Sequence, residues 1–112
     1  MNIQEILKNH ILWLRDKPNG ERADLRNSDL SRSDLSGAIL SRAISDNRYV
    51  QIGCIGSAKR ITTYCFEEDV VWCGCFKGTL LEFESEVNET HAKNPKYLKE
   101  YLGAIAYIKS LM

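Results

Sequence analysis

A chain of 112 residues, 44% hydrophobic and 27% charged, has the composition of a globular protein and the length of one domain, or of two very small units sharing a core. Fifteen basic and fifteen acidic residues cancel, which excludes a global basic field for nucleic acid and a polybasic membrane patch. No apolar run approaches the ~20 residues a membrane helix needs, and Met1–Glu5 lacks the start of a secretory signal, so a cytoplasmic location with four reduced cysteines and no membrane partner is expected.

Residues 2–16 come first. Ile3, Ile6, Leu7, His10, Trp13 and Leu14 share one face at helical spacing, which predicts an amphipathic helix. Lys17-Pro18-Asn19-Gly20 breaks it. Residues 21–45 then divide into fives: ERADL, RNSDL, SRSDL, SGAIL, SRAIS. Leucine recurs at 25, 30, 35 and 40. Two residues before each stands a small residue, Ala23, Ser28, Ser33 and Ala38, and Ala43 continues the series. A period of five fits neither a helix nor a strand. It fits a chain that turns a corner every five residues and sends one large and one small side chain inward. The expected repeat core is Ala23, Leu25, Ser28, Leu30, Ser33, Leu35, Ala38 and Leu40.

With Asp-Leu at 24–25, 29–30 and 34–35, this segment resembles the pentapeptide-repeat family and its A(D/N)LXX pattern. The resemblance implies a right-handed, four-sided β-helix with twenty residues per coil, and slightly more than one coil here. Solenoid units cannot bury their apolar face alone, so the flanks must cap the coil. The first helix is expected to plug its N-terminal end.

After Asp46-Asn47 the pattern changes. Arg48–Gly56, Arg60–Phe66 and Asp69–Phe76 are rich in β-branched and aromatic residues, and three antiparallel strands are expected. Thr79 is placed as the N-cap of a helix, with Glu82 completing a capping box and Leu80, Phe83 and Val87 facing inward. Asn94-Pro95 opens a last helix, in which Tyr97, Leu98, Tyr101, Ile105, Ile108 and Met112 form the apolar stripe. The fold class expected is α+β: an N-terminal helix, about one β-helix coil, a three-stranded antiparallel sheet and two C-terminal helices. Two units are expected, 1–46 and 47–112. The cadence of the second is similar to that of small phage- and prophage-encoded proteins. That resemblance implies an accessory protein of a mobile element and names no reaction.

Strand parity lets Cys54, Cys65, Cys73 and Cys75 share one side of the sheet, as a zinc site or as buried thiols. Their spacings of 11, 8 and 2 contain no C-x-x-C knuckle, so small hydrophobes under helices are the preferred reading, with no metal and no cofactor. His10 and His91 fall on inner helix faces, and no nucleophile–base–orienter set is present. No catalytic residue and no enzymatic activity are expected. Gly53–Arg60 lacks Walker spacing and reads as a turn carrying Lys59 and Arg60; binding of a small anionic signal nucleotide is one alternative function.

Residues 63–92 hold seven acids, Glu67, Glu68, Asp69, Glu82, Glu84, Glu86 and Glu89, against Lys77 alone, a local net charge of minus six. Glu82, Glu86 and Glu89 fall on the outer helix face. Tyr49, Ile55, Tyr64, Phe66, Val70, Trp72 and Phe76 have the strand parity opposite to the cysteines, so either the coil or a partner must cover them. The expected contact residues are Glu67, Glu68, Asp69, Glu82, Glu86, Glu89, Tyr64 and Trp72. The function expected is a non-enzymatic interaction protein, similar in kind to phage anti-CRISPR inhibitors. It would block a host protein or ribonucleoprotein complex that handles nucleic acid by competing for a basic groove, without itself contacting nucleic acid. The family resemblance implies another alternative, a DNA mimic acting on a topoisomerase. Against it, Asp24, Asp29 and Asp34 occupy successive sides of the coil, and Arg22, Arg26 and Arg32 stand among them.

Overall fold

The computed structural model describes residues 3–26, 35, 38–56 and 60–112, without the side chains of Cys54 and Arg60. Helix α1 (Ile3–Leu14) buries Leu7 and His10 and leans Ile3 and Ile6 on the same core. It ends where Asp16 and Asn19 take positive φ, 55° and 65°. Asp and Asn tolerate that region better than other non-glycine residues.

The repeat segment turns corners at the spacing its sequence requires. The N–H of Ala38 donates to the carbonyl of Leu35, and that of Ala43 to Leu40, each at 3.0 Å. The same bond thus recurs five residues on, and the leucine and small residue of adjacent repeats are the two ends of one tight turn. Asp24 and Ile44, twenty residues apart, form a parallel bridge. Leu25 N–H donates to the Ile44 carbonyl, and Ile44 N–H to the Ala23 carbonyl. The chain thus pairs with itself across a separation of four pentapeptides, the separation one circuit of the expected coil requires. Ala23, Leu25, Leu35, Ala38 and Leu40 are buried. Ser28, Leu30 and Ser33 lie outside the described residues.

Two side chains tie this coil to its flanks. His10 is fully buried, its Nδ1 accepting from Ala23 N–H at 3.0 Å and its Nε2 lying 2.7 Å from the Ser41 carbonyl. An acceptor at Nδ1 leaves the proton on Nε2, so the neutral ring donates to Ser41. On the sheet side, Gln51 Nε2 donates to the Ala38 carbonyl at 2.6 Å and to Thr63 Oγ1 at 2.9 Å, while its Oε1 accepts from Leu40 N–H at 2.9 Å. One amide side chain stands in for a peptide unit of a neighbouring strand.

The sheet has four strands where three were expected: β1 (Tyr49–Ile55), β2 (Arg60–Cys65), β3 (Val70–Cys73) and β4 (Phe76–Gly78), antiparallel in the order β1-β2-β3-β4. The expected third strand is broken by Gly74-Cys75, a two-residue turn between the partners Cys73 and Phe76. Gly74 takes φ 56° and Cys75 no positive φ, the pattern of a type II′ hairpin, which wants glycine first.

The register sorts the side chains into two cores. Trp72 pairs with Thr63, and Cys65 with both Tyr49 and Val70. This face packs on the coil, and α1, the repeat residues, Cys65 and Trp72 form one cluster. Tyr64, Val71 and Cys73 face the other way, under Phe83 and Val87 of α2 (Leu80–Thr90) and Tyr101, Ile105 and Ile108 of α3 (Pro95–Ser110).

Both C-terminal helices begin where the sequence places their caps. Thr79 Oγ1 accepts from Glu82 N–H at 3.1 Å while Glu82 Oε1 accepts from Thr79 N–H at 2.9 Å, a complete capping box. Asn94 caps α3, with Pro95 in its first turn. Met112 is not part of the stripe: α3 stops at Ser110 and Met112 is 69% exposed. Gly56 closes β1 at φ 71°, and a Cβ there would sit 1.9 Å from the Tyr101 ring. Its N–H donates to Glu100 Oε1 at 2.8 Å, which holds the turn on α3. Gly56→Ala is expected to destabilise the chain by about 2–4 kcal/mol, from positive φ and overpacking together. An unchanged urea midpoint in that variant would contradict the close approach.

Candidate functional site

The acidic residues separate into two groups. Those of the β2–β3 turn are engaged locally. Glu67 Oε2 accepts from Arg48 N–H at 2.7 Å, and Glu68 Oε1 lies 3.5 Å from the Asn47 amide. Asp69 Oδ1 accepts from the Tyr64 hydroxyl at 2.9 Å and from Leu80 N–H at 3.2 Å, so its charge sits at the positive end of α2. Those of α2 face outward. Glu82, Glu86 and Glu89 are exposed. Glu84 pairs with Lys109 at 3.2 Å and is the one acid of α2 with an ion-pair partner among the described residues.

Tyr64 and Trp72 are not contact residues, contrary to expectation. They are 2% and 1% exposed, under the helices and the coil respectively. Parity within a strand groups residues by face but does not align one strand with the next, and adjacent Tyr64 and Cys65 necessarily point apart. The expected aromatic face is likewise divided: Tyr49, Val70 and Trp72 meet the coil, whereas Ile55, Tyr64, Phe66 and Phe76 meet the helices.

Burial, helped by the bond to Asp69, pushes the Tyr64 phenol up to about 12; burial and then the Cys65 charge do the same for Tyr49. The folded chain therefore holds protons that the unfolded chain releases near the ordinary value of 10.0. Stability from these groups is complete below that pH and is lost as pH rises toward about 12. Far-ultraviolet circular dichroism against pH should show alkaline unfolding in that window. Tyr64→Phe, which removes one of the two phenols, should move it to higher pH.

The three cysteines with described side chains do not gather, and the Cys54 side chain lies outside the described residues. Cys65 is buried against the coil, where burial pushes its thiol up. Cys73 is on the helix face and accepts from the Thr62 hydroxyl at 3.3 Å, and Cys75 is exposed in the turn. Among the described residues no three of His, Cys, Asp and Glu converge as metal ligands. A thiol reagent at neutral pH should label Cys75 quickly and reach Cys65 and Cys73 only as the chain unfolds, as read by peptide mass mapping. Rapid labelling of Cys65 would contradict its burial.

Sequence reasoning missed a cleft of about 260 Å³ between the β3–β4 turn and the C-terminal half of α2. Phe76 tilts on Phe83 with centroids 5.2 Å apart, Phe83 meets Tyr101 edge-on at 5.9 Å, and His91 stacks on Tyr101 at 5.2 Å. Glu86 and Thr90 add polar groups, and the Thr90 hydroxyl donates to Glu86 Oε1 at 3.1 Å. The inward placement of His91 was the available signal.

The five-residue recurrence of turns and the twenty-residue bridge have a counterpart in comparison with known families. Residues 19–44 match the Pentapeptide repeats family. The matching family model describes eight copies of the repeat. No curated protein and no solved structure matches the chain. Among the described residues of the coil, one pair of opposite charges meets. Arg26 forks Asp24 through Nε at 2.9 Å and a terminal nitrogen at 2.7 Å, and these bonds hold the Asp24 carboxyl down at about 2. Arg22 donates to the Arg42 carbonyl, again twenty residues on, and lies 5.5 Å from the Trp13 ring. Among the described residues no helix is long and apolar enough to cross a membrane.

Proposed function

We propose that this chain is a non-enzymatic interaction protein that docks a basic partner on the solvent face of α2. One observation carries the reading. Glu86 and Glu89 stand exposed without an ion-pair partner among the described residues, inside a stretch of net charge minus six in a neutral chain. Such a field steers a basic surface into place and weakens with salt. The pentapeptide-repeat coil and α1 are scaffold: they bury one face of the sheet whose other face carries α2. In its finer form the partner is a complex that handles nucleic acid, and the protein obstructs its basic groove in the manner of a phage-type inhibitor.

The DNA-mimic reading has less support, because Asp24 is neutralised by Arg26 and the coil is little more than one circuit. The anion-binding reading rests on Lys59 and the Arg60 side chain, which lie outside the described residues. The test is capture from a host lysate at low and raised salt, followed by charge reversal. The double variant Glu86→Lys, Glu89→Lys should bind the captured partner on the order of tenfold more weakly at low salt. Full binding by that variant sinks the proposal.

A further inference from the structure

We infer that the cleft beside α2 receives one arginine side chain of the bound partner. This rests on the reading of α2 as the docking face and adds the group that would fix the partner on it. Four features of the cleft converge on a planar cation.

Its wall is aromatic, formed by the half-buried rings of Phe76 and His91 with the buried Phe83 and Tyr101 packed against them. Ring faces attract cations, and guanidinium most often. Its carboxylate is Glu86, which is exposed, has no ion-pair partner among the described residues, and belongs to the acidic face as well as to the cleft. The cleft also includes Thr90 and His91, at the C-terminal end of α2, whose last turn holds no basic residue. That end of a helix carries partial negative charge and favours a cation. Finally, about 260 Å³ is small for a drug-sized ligand and suits a single side chain.

Guanidinium suits these walls better than ammonium. It is flat, weakly hydrated, stacks on rings and can fork a carboxylate at the same time. An ammonium group would turn part of its hydration shell toward apolar rings. An anion would meet Glu86 and the negative end of α2.

The test titrates the 112-residue chain with a capped Gly-Arg-Gly tripeptide, its lysine counterpart, and its citrulline counterpart, which has the same shape without the charge. Ring resonances of His91, Tyr101 and Phe76 report binding. The arginine peptide should move them saturably, the lysine peptide several-fold more weakly, and the citrulline peptide not at all. Glu86→Gln should weaken the arginine peptide by roughly threefold or more. Glu5→Gln, at an exposed position of α1 outside the cleft and the docking face, should leave binding unchanged. Equal binding of the citrulline peptide, or indifference to Glu86→Gln, overturns the inference. If the arginine peptide leaves these resonances unmoved while Glu89→Lys still weakens the captured partner, the arginine cleft falls and the docking face stands. If the peptide binds but Glu89→Lys has no effect on the partner, the cleft stands and the wider face falls.

Discussion

His10→Ala should destabilise the folded chain by about 3–5 kcal/mol, the largest effect expected of any change in α1. Truncation leaves Ala23 N–H and the Ser41 carbonyl without their partner, in a place where the ring itself is fully buried. Each such orphan costs on the order of 1–3 kcal/mol, and the lost ring volume adds a cavity. His10→Phe separates the two contributions, since it fills the space but offers neither nitrogen. It should recover the cavity part and keep the polar loss. Urea unfolding of both variants measures this, and a loss below about 1 kcal/mol for His10→Ala would mean the two backbone groups find other partners.

Gln51→Leu should cost about 2–4 kcal/mol. The substitution keeps approximate volume and abolishes the bonds to the Ala38 carbonyl, Leu40 N–H and Thr63 hydroxyl. Gln51→Glu should be at least as harmful, because a second carboxylate oxygen would face the Ala38 carbonyl where an N–H now donates. The local readout is hydrogen exchange at the Leu40 amide. It should accelerate in Gln51→Leu more than amides in α3 do, and equal acceleration everywhere would assign Gln51 to general stability instead of to the coil–sheet joint.

Much of the fold was legible because it is written in local chemistry. The period of five, the Thr79–Glu82 box and Asn94-Pro95 each act within a few residues, and each appears where its spacing requires. What escaped depends on partners far along the chain. Strand parity at Tyr64 and Cys65 could not say which face meets the coil, since both faces of the sheet are covered. The run through Trp72 and Phe76 read as one strand because a Gly-Cys turn is short enough to hide in an aromatic sequence. The cleft joins Phe76, Phe83, His91 and Tyr101 from three elements, with no motif to announce it. His10 and Gln51 looked like ordinary members of a helix and a strand, because their partners are backbone atoms and carry no sequence signature.

The bridge between Asp24 and Ile44 imposes a length rule on evolution and on engineering alike. A single pentapeptide inserted into the coil would swing its exit by a quarter turn and present the sheet in the wrong direction. Four inserted pentapeptides would add one layer, about 4.8 Å of height, and leave the exit pointing as before. The protein should therefore accept lengthening only in whole circuits, and its viable variants should differ in size by multiples of twenty residues.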